Sequence, residues 1–121
     1  MEPAAACLYV CVTCRDPADP ESEGERPGAR LYAALAAEAP PVALHPVECL
    51  ANCARGCSAA IAMPGKWSYL LGGLRPELAG DLIDYARLYV ASRTGTIMPS
   101  RRAPSLAGMI VGRIPSAEPM P

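Results

Sequence analysis

This sequence predicts an α/β fold in the order β-α-β-β-β-α, followed by a Pro-rich C-terminal extension. Three observations carry the prediction. Four short β-prone runs are interspersed with two helical stretches, each with an apolar stripe. Proline and glycine stand at the joints between them. Five of the six cysteines fall into two groups, Cys11-Val-Thr-Cys14 and Cys49-Leu-Ala-Asn-Cys53-Ala-Arg-Gly-Cys57, with 34 residues between Cys14 and Cys49. That interval is about the length of one β-α-β unit.

Cys7 to Val12 is apolar and β-prone and reads as a buried strand. Arg15 to Gly28 holds five acids, three prolines and two glycines, the composition of a mobile, solvated loop. Ala29 to Ala39 is Ala-rich, with Leu31 and Leu35 on one face, and Pro40-Pro41 ends this first helix. Val42 to Val47 is the second strand and runs directly into Glu48-Cys49. Ser58 to Met63, the Pro64-Gly65 turn and Lys66 to Leu71 make an antiparallel hairpin, which Gly72-Gly73 breaks. Pro76 opens the second helix at the position where proline is tolerated. Leu78, Leu82, Tyr85 and Tyr89 recur at helical spacing, with Asp81, Asp84 and Arg87 off the stripe. Gly95 ends the helix near residue 93. Residues 96–121 contain five prolines and one short apolar run, Met109-Ile110-Val111.

This order is the minimal thioredoxin-like architecture. A β-α-β crossover is right-handed and makes its two strands parallel, so both end at one edge of the sheet. Cys11 and Cys14 lie at the end of the first strand, and Cys49 and Cys53 just past the end of the second. Ligands commonly gather outside the carboxyl ends of parallel strands. Four thiolates can therefore converge there.

Composition narrows the setting. The N-terminus reads Met1-Glu2-Pro3 before an apolar stretch that ends in the Cys-x-x-Cys. A secretory leader is basic and carries a longer apolar core and a small-residue cleavage site, so a cytoplasmic chain with reduced thiols is the expectation. No window approaches the apolar length of a membrane span. Net charge is −1, which argues against a general nucleic-acid or membrane surface. Charge is uneven, however. Residues 1–48 hold eight acids and three arginines, and residues 91–121 hold four arginines and one acid. Arg93, Arg101, Arg102 and Arg113 would present a basic face to an acidic redox partner. A homodimer is left open.

Four thiolates suit tetrahedral zinc or an iron–sulfur cluster. Structural zinc sites favour two Cys-x-x-Cys knuckles, whereas the second pair here is Cys49-x-x-x-Cys53. Each iron of a 2Fe–2S cluster takes two thiolates, which matches two separated pairs. A disulfide oxidoreductase is the third reading of Cys11-x-x-Cys14. In such enzymes the motif starts a helix, whereas Arg-Asp-Pro and an acidic loop follow here.

Several residues carry the likeness to a known group. Cys11-x-x-Cys14 follows the first strand, and Cys49-Leu-x-x-Cys53-x-x-Gly-Cys57 follows the second. Gly65-Lys66-Trp67 and Arg113-Ile114-Pro115 come later. Together they resemble a small bacterial family described as predicted metal-binding proteins. That family is similar to the thioredoxin-like 2Fe–2S ferredoxins, whose second ligand pair is also Cys-x-x-x-Cys. The resemblance spans nearly the whole chain apart from the acidic loop. The element reading divides the chain into a cluster-binding domain at residues 1–95, with 15–28 as its mobile loop, and an extension at 96–121. The resemblance implies Cys11, Cys14, Cys49 and Cys53 as ligands. The ferredoxins separate their first two ligands more widely, so Cys57 stands as an alternative to Cys14.

Plainer readings fit the remaining residues. Cys7 reads as a core residue, and so, in the first instance, does Cys57. His45, Trp67 and Tyr69 read as sheet residues, and Glu77, Asp81 and Asp84 as a solvated helix face. The chain has no Ser-His-Asp set, no glycine-rich phosphate loop and one histidine, so an enzyme is not expected. Two function classes remain: a 2Fe–2S one-electron carrier, and a zinc-binding or metal-handling module without redox activity.

Overall fold

The computed structural model describes residues 6–15, 17–18 and 24–117. Strand β1 spans Cys7–Cys11, helix α1 Pro27–Ala37 and β2 Ala43–Val47. The β3–β4 hairpin (Ala59–Ala62 and Ser68–Leu71) follows, then α2 (Ala79–Ala91) and β5 (Ile110–Ile114). The five strands are ordered β2-β1-β3-β4-β5. β1 and β2 are parallel, and every other neighbouring pair is antiparallel. The thioredoxin-like α/β order is therefore present, with one strand added at the far edge.

Period-two alternation chooses the inner face of the sheet. Leu8, Val10, Ala59, Ile61, Tyr69 and Leu71 are buried, while Cys7, Tyr9, Ala60, Ala62, Ser68 and Leu70 are half-buried. Leu31 and Leu35 of α1 and Leu82, Tyr85, Ala86 and Tyr89 of α2 complete the same core. The helical stripe read from the sequence is thus the packed face of α2, and Leu78 just before it is also buried. Glu77 and Asp84 are exposed and pair with Arg75 and Arg87; Asp81 accepts a hydrogen bond from the Ser105 hydroxyl.

Helix α1 begins two residues earlier than expected, because Pro27 occupies its first turn and presets the backbone angle. It also ends earlier. Ala39 precedes Pro40, which disfavours a helical conformation there, and takes φ +49°. Helix α2 is entered through a 3-10 turn at Pro76–Leu78 and ends at Ala91. The expected acidic loop lies partly outside the described residues, at Asp16 and residues 19–23, and its last two residues belong to α1.

The Gly-Lys-Trp motif fastens α2 to the sheet. Lys66 is buried, and its Nζ donates to the carbonyls of Tyr89 (3.1 Å) and Val90 (2.7 Å) at the end of α2. An ammonium there complements the negative end of the helix dipole. Burial lowers the pKa of Lys66. The Tyr89 hydroxyl donates to the Trp67 carbonyl at 2.6 Å, and Gly65 N–H donates to Ser116 Oγ at 3.0 Å.

Strand β5 was not foreseen. It lies in the segment set apart from the sequence as an extension, and it pairs with β4 along Ser68–Leu71. Leu106 and Met109, just before it, are buried in the core. The Arg113 guanidinium lies 4.0 Å from the centre of the Trp67 ring, so this arginine of the expected basic face is stacked on the sheet. No helix among the described residues is long and apolar enough to cross a membrane.

Candidate metal centre

The thiols collect where the two parallel strands stop. Cys11 ends β1 in register with Val47, which ends β2. Val12 N–H donates to the Val47 carbonyl at 2.9 Å, holding the exit of β1 against β2. The Glu48 carbonyl then accepts from the Thr13 hydroxyl and, at 3.4 Å, from Cys11 Sγ. Glu48 precedes Cys49, so one carbonyl ties the first cysteine group to the start of the second.

Two glycines wall in the first pair. A Cβ on Gly28 would lie 2.0 Å from the Cys11 carbonyl oxygen and 3.2 Å from Cys14 N. A Cβ on Gly56 would lie 2.8 Å from the Arg15 carbonyl oxygen and 3.4 Å from Cys14 Sγ. Only at glycine can α1 and the entry to β3 close this tightly on the Cys11–Cys14 turn. Both cysteines are buried as a result.

The second pair sits on an exposed loop that is pinned from beneath. Cys49 and Cys53 are both exposed, and Ala51 N–H donates to Cys49 Sγ at 3.2 Å. Between them, Asn52 Nδ2 donates to Ser58 Oγ at 3.1 Å, and Ser58 Oγ donates to the Asn52 carbonyl at 3.3 Å. Ser58 is fully buried, and its own carbonyl accepts from Cys11 N–H at 3.0 Å. One serine therefore joins both cysteine groups. Gly72 leaves room for this, since a Cβ there would come 2.9 Å from Asn52 Nδ2.

The two thiols of each pair hydrogen-bond each other. Burial raises the pKa of Cys11, but hydrogen bonds from Thr13 and Cys14 outweigh it and hold the thiol below its ordinary range. Burial, reinforced by the hydrogen bond to Cys11, pushes Cys14 up to about 12. The hydrogen bond with Cys49 raises the pKa of the Cys53 thiol. Among the described residues, no three His, Cys, Asp or Glu side chains gather closely enough to hold one metal ion. The arrangement is two pairs, one buried and one exposed.

The other singled-out residues lie elsewhere. Cys7 is half-buried at the start of β1 and interacts with Tyr9, whose pKa it raises. His45 is exposed on the edge strand β2 and stacks on Tyr9, with ring centres 5.4 Å apart. Cys57 is buried, and its N–H and carbonyl are paired with Leu74. Sequence reasoning missed Thr13, Asn52, Ser58 and Gly28, and noted Gly56 only as a member of the cysteine motif. The one available signal was an Asn and a Gly inside the second cysteine group.

Comparison with curated proteins finds no match. Solved structures do match. One of a thioredoxin-like [2Fe–2S] ferredoxin from Aquifex aeolicus shares 14% identity at a TM-score of 0.56, covering 90% of this chain and 92% of that one. A second, of the wild-type ferredoxin from that organism, shares 15% identity at a TM-score of 0.52, covering 89% and 97%. A cysteine-to-serine variant of it matches at 14% identity and a TM-score of 0.52, covering 88% and 98%. These likenesses establish the thioredoxin-like fold. A family model spans residues 8–116, from β1 to just past β5, and the chain belongs to that family, described as "Protein of unknown function (DUF1636)".

Proposed function

We propose that this protein is a one-electron carrier of the 2Fe–2S ferredoxin type, with the cluster held by Cys11, Cys14, Cys49 and Cys53. The observation that carries the reading is the pairing of the thiols. Each iron of such a cluster takes two thiolates. The site offers two thiol pairs on two loops, Cys11 and Cys14 after β1 and Cys49 and Cys53 after the strand parallel to it. The name of the similar Aquifex ferredoxin supports the same group. Bound here, the cluster would supply the one-electron chemistry.

The chain's own part is to hold and tune. Cys11 and Cys14 form the inner side, shut off by Gly28 and Gly56. Ala51 N–H and the Thr13 hydroxyl lie within hydrogen-bonding reach of sulfur, and such contacts adjust a cluster's potential. Cys49 and Cys53 reach the surface, where a partner can approach. Cys14 is preferred to Cys57 as the fourth ligand because it hydrogen-bonds Cys11, whereas Cys57 lines a separate cleft.

Purification without oxygen from iron-replete cells, with a visible spectrum and metal and sulfide analysis, tests the reading. The expected result is a brown protein with about two irons and two sulfides per chain. A colourless protein carrying stoichiometric zinc and no iron would replace it with the zinc-binding, metal-handling module.

A further inference from the structure

A cleft of about 300 Å³ lies behind the first thiol pair, between the start of α1, the entry to β3 and the connection from β4 to α2. Arg30 of α1 and Arg75 of the connection both line it, with Gly56, Cys57, Leu74 and Glu77. The two guanidinium groups are not used up inside the fold. Arg30 makes no side-chain hydrogen bond or ion pair among the described residues. Among the described residues Arg75 pairs only with Glu77, at 3.6 Å, with the two side chains 65% and 69% exposed. An exposed pair of this kind contributes little and exchanges easily for a better partner. Among the described lining residues, two cations stand against one carboxylate, a net positive balance.

Its floor is rigid. Cys57 N–H donates to the Leu74 carbonyl at 3.1 Å, and Leu74 N–H donates back to Cys57 at 3.0 Å. One wall is bare backbone. At Gly56 no side chain intervenes, and a Cβ built there would already touch Cys14 Sγ, at 3.4 Å. A group that enters the cleft and meets Gly56 is therefore one backbone's thickness from a cysteine of the thiol site.

The geometry points to this cleft as the docking point for an acidic segment of a redox partner. An Asp or Glu carboxylate of the partner would be held between the forks of Arg30 and Arg75. The assignment to a redox partner rests on the carrier reading; the carboxylate chemistry of the cleft does not. Arginine binds carboxylates bidentately. Electron-transfer contacts are small, transient and steered by charge. A cationic cleft beside Cys14 meets both needs. It also places recognition at the thiol end of the sheet rather than on the C-terminal arginines.

Two arms test it. In the first, the ¹⁵N-labelled protein, with or without a cluster, is titrated at low salt with an acetylated hexapeptide of alternating Asp and Glu. Saturable amide shifts are expected at Cys57, Gly73 and Leu74. Affinity should fall by about tenfold or more in Arg30→Ala/Arg75→Ala and hold in Arg101→Ala/Arg102→Ala, since the forks supply the binding. Shifts unchanged in the first double variant, or confined to residues 93–113, would overturn the assignment. Equal shifts from inorganic phosphate at the same concentration would overturn the acidic-segment assignment in favour of a free-anion site.

In the second arm, the reduced, cluster-loaded protein gives one electron to hexacyanoferrate(III), forming hexacyanoferrate(II), or to hexaammineruthenium(III). Arg30→Ala/Arg75→Ala should slow the reaction with the anion severalfold at low salt and spare the cationic oxidant. Equal slowing with both would remove charge recognition from the cleft. A protein that never assembles a cluster ends the carrier reading in this arm, while the peptide titration still decides the chemistry of the cleft.

Discussion

Asn52 and Ser58 hold each other by two hydrogen bonds, amide to hydroxyl at 3.1 Å and hydroxyl to carbonyl at 3.3 Å, beneath the exposed cysteine loop. The serine is fully buried, and its backbone carbonyl receives Cys11 N–H. Replacing Ser58 by Ala leaves the Asn52 amide without its partner and should cost about 1–3 kcal/mol. Urea unfolding of the metal-free protein measures this, and an unchanged midpoint would show that the loop is held by something else.

Cysteine replacements divide the six thiols. Cys49→Ser and Cys53→Ser should each abolish or strongly destabilise the chromophore, because no other thiol lies in their loop position. Cys7→Ser and Cys57→Ala should keep it, the first lying at the far end of β1 and the second lining the cleft. Visible absorption and iron content report the result. Loss of the chromophore in Cys57→Ala with retention in Cys14→Ser would exchange those two roles.

Gly28→Ala is expected to be among the most damaging small changes in the chain. The new methyl group would lie 2.0 Å from a backbone oxygen, so helix and turn must separate. Overpacking of that severity should cost about 3 kcal/mol or more. Thermal unfolding should register it even without metal, and a wild-type melting temperature would mean that α1 sits differently over Cys11.

Lys66→Met removes two charge-assisted hydrogen bonds from the end of α2 while keeping most of the side-chain volume. A loss of roughly 2–3 kcal/mol is expected. If the variant unfolds at the same denaturant concentration as wild type, the Gly-Lys-Trp motif serves something other than this cap.

Tyr89 gives a pH dependence with a definite sign. Burial pushes its pKa from 10.0 up to about 12. The folded chain therefore keeps this proton at pH values where the unfolded chain has lost it. Its contribution is fully present below pH 10 and is lost as the pH rises towards 12. Denaturation midpoints should fall over that range. They should fall less steeply in Tyr89→Phe, and parallel curves would assign the effect to other groups.

Much of this architecture can be read along the chain. Leu8 and Val10, Leu31 and Leu35, and the Leu82–Tyr89 stripe declare their elements because side-chain period and burial coincide. The parallel pairing of β1 and β2, and with it the common address of the two cysteine groups, follows from the β-α-β connection. β5 does not declare itself. It contains Gly112 and Arg113, its last three residues are exposed, and its order comes from a partner some forty residues earlier. The reasons for Gly28 and for Asn52 are equally hidden, because each is defined by a backbone or hydroxyl that only the closed fold brings near. Sequence spacing could name the thiols. It could not show that they stand as one sheltered and one exposed pair.

The hydrogen bond from Gly28 N–H to the Cys14 carbonyl (3.2 Å), with that from the Arg26 guanidinium to the Thr13 carbonyl (2.8 Å), fastens both ends of the acidic stretch to the site. For such a closed loop, each doubling of length costs only about 0.6 kcal/mol. Because both anchors lie outside it, an insertion between Arg15 and Glu25 is expected to leave the Cys11–Cys14 turn and the start of α1 joined as they are, so length and reporter groups can be added there without cutting either bond.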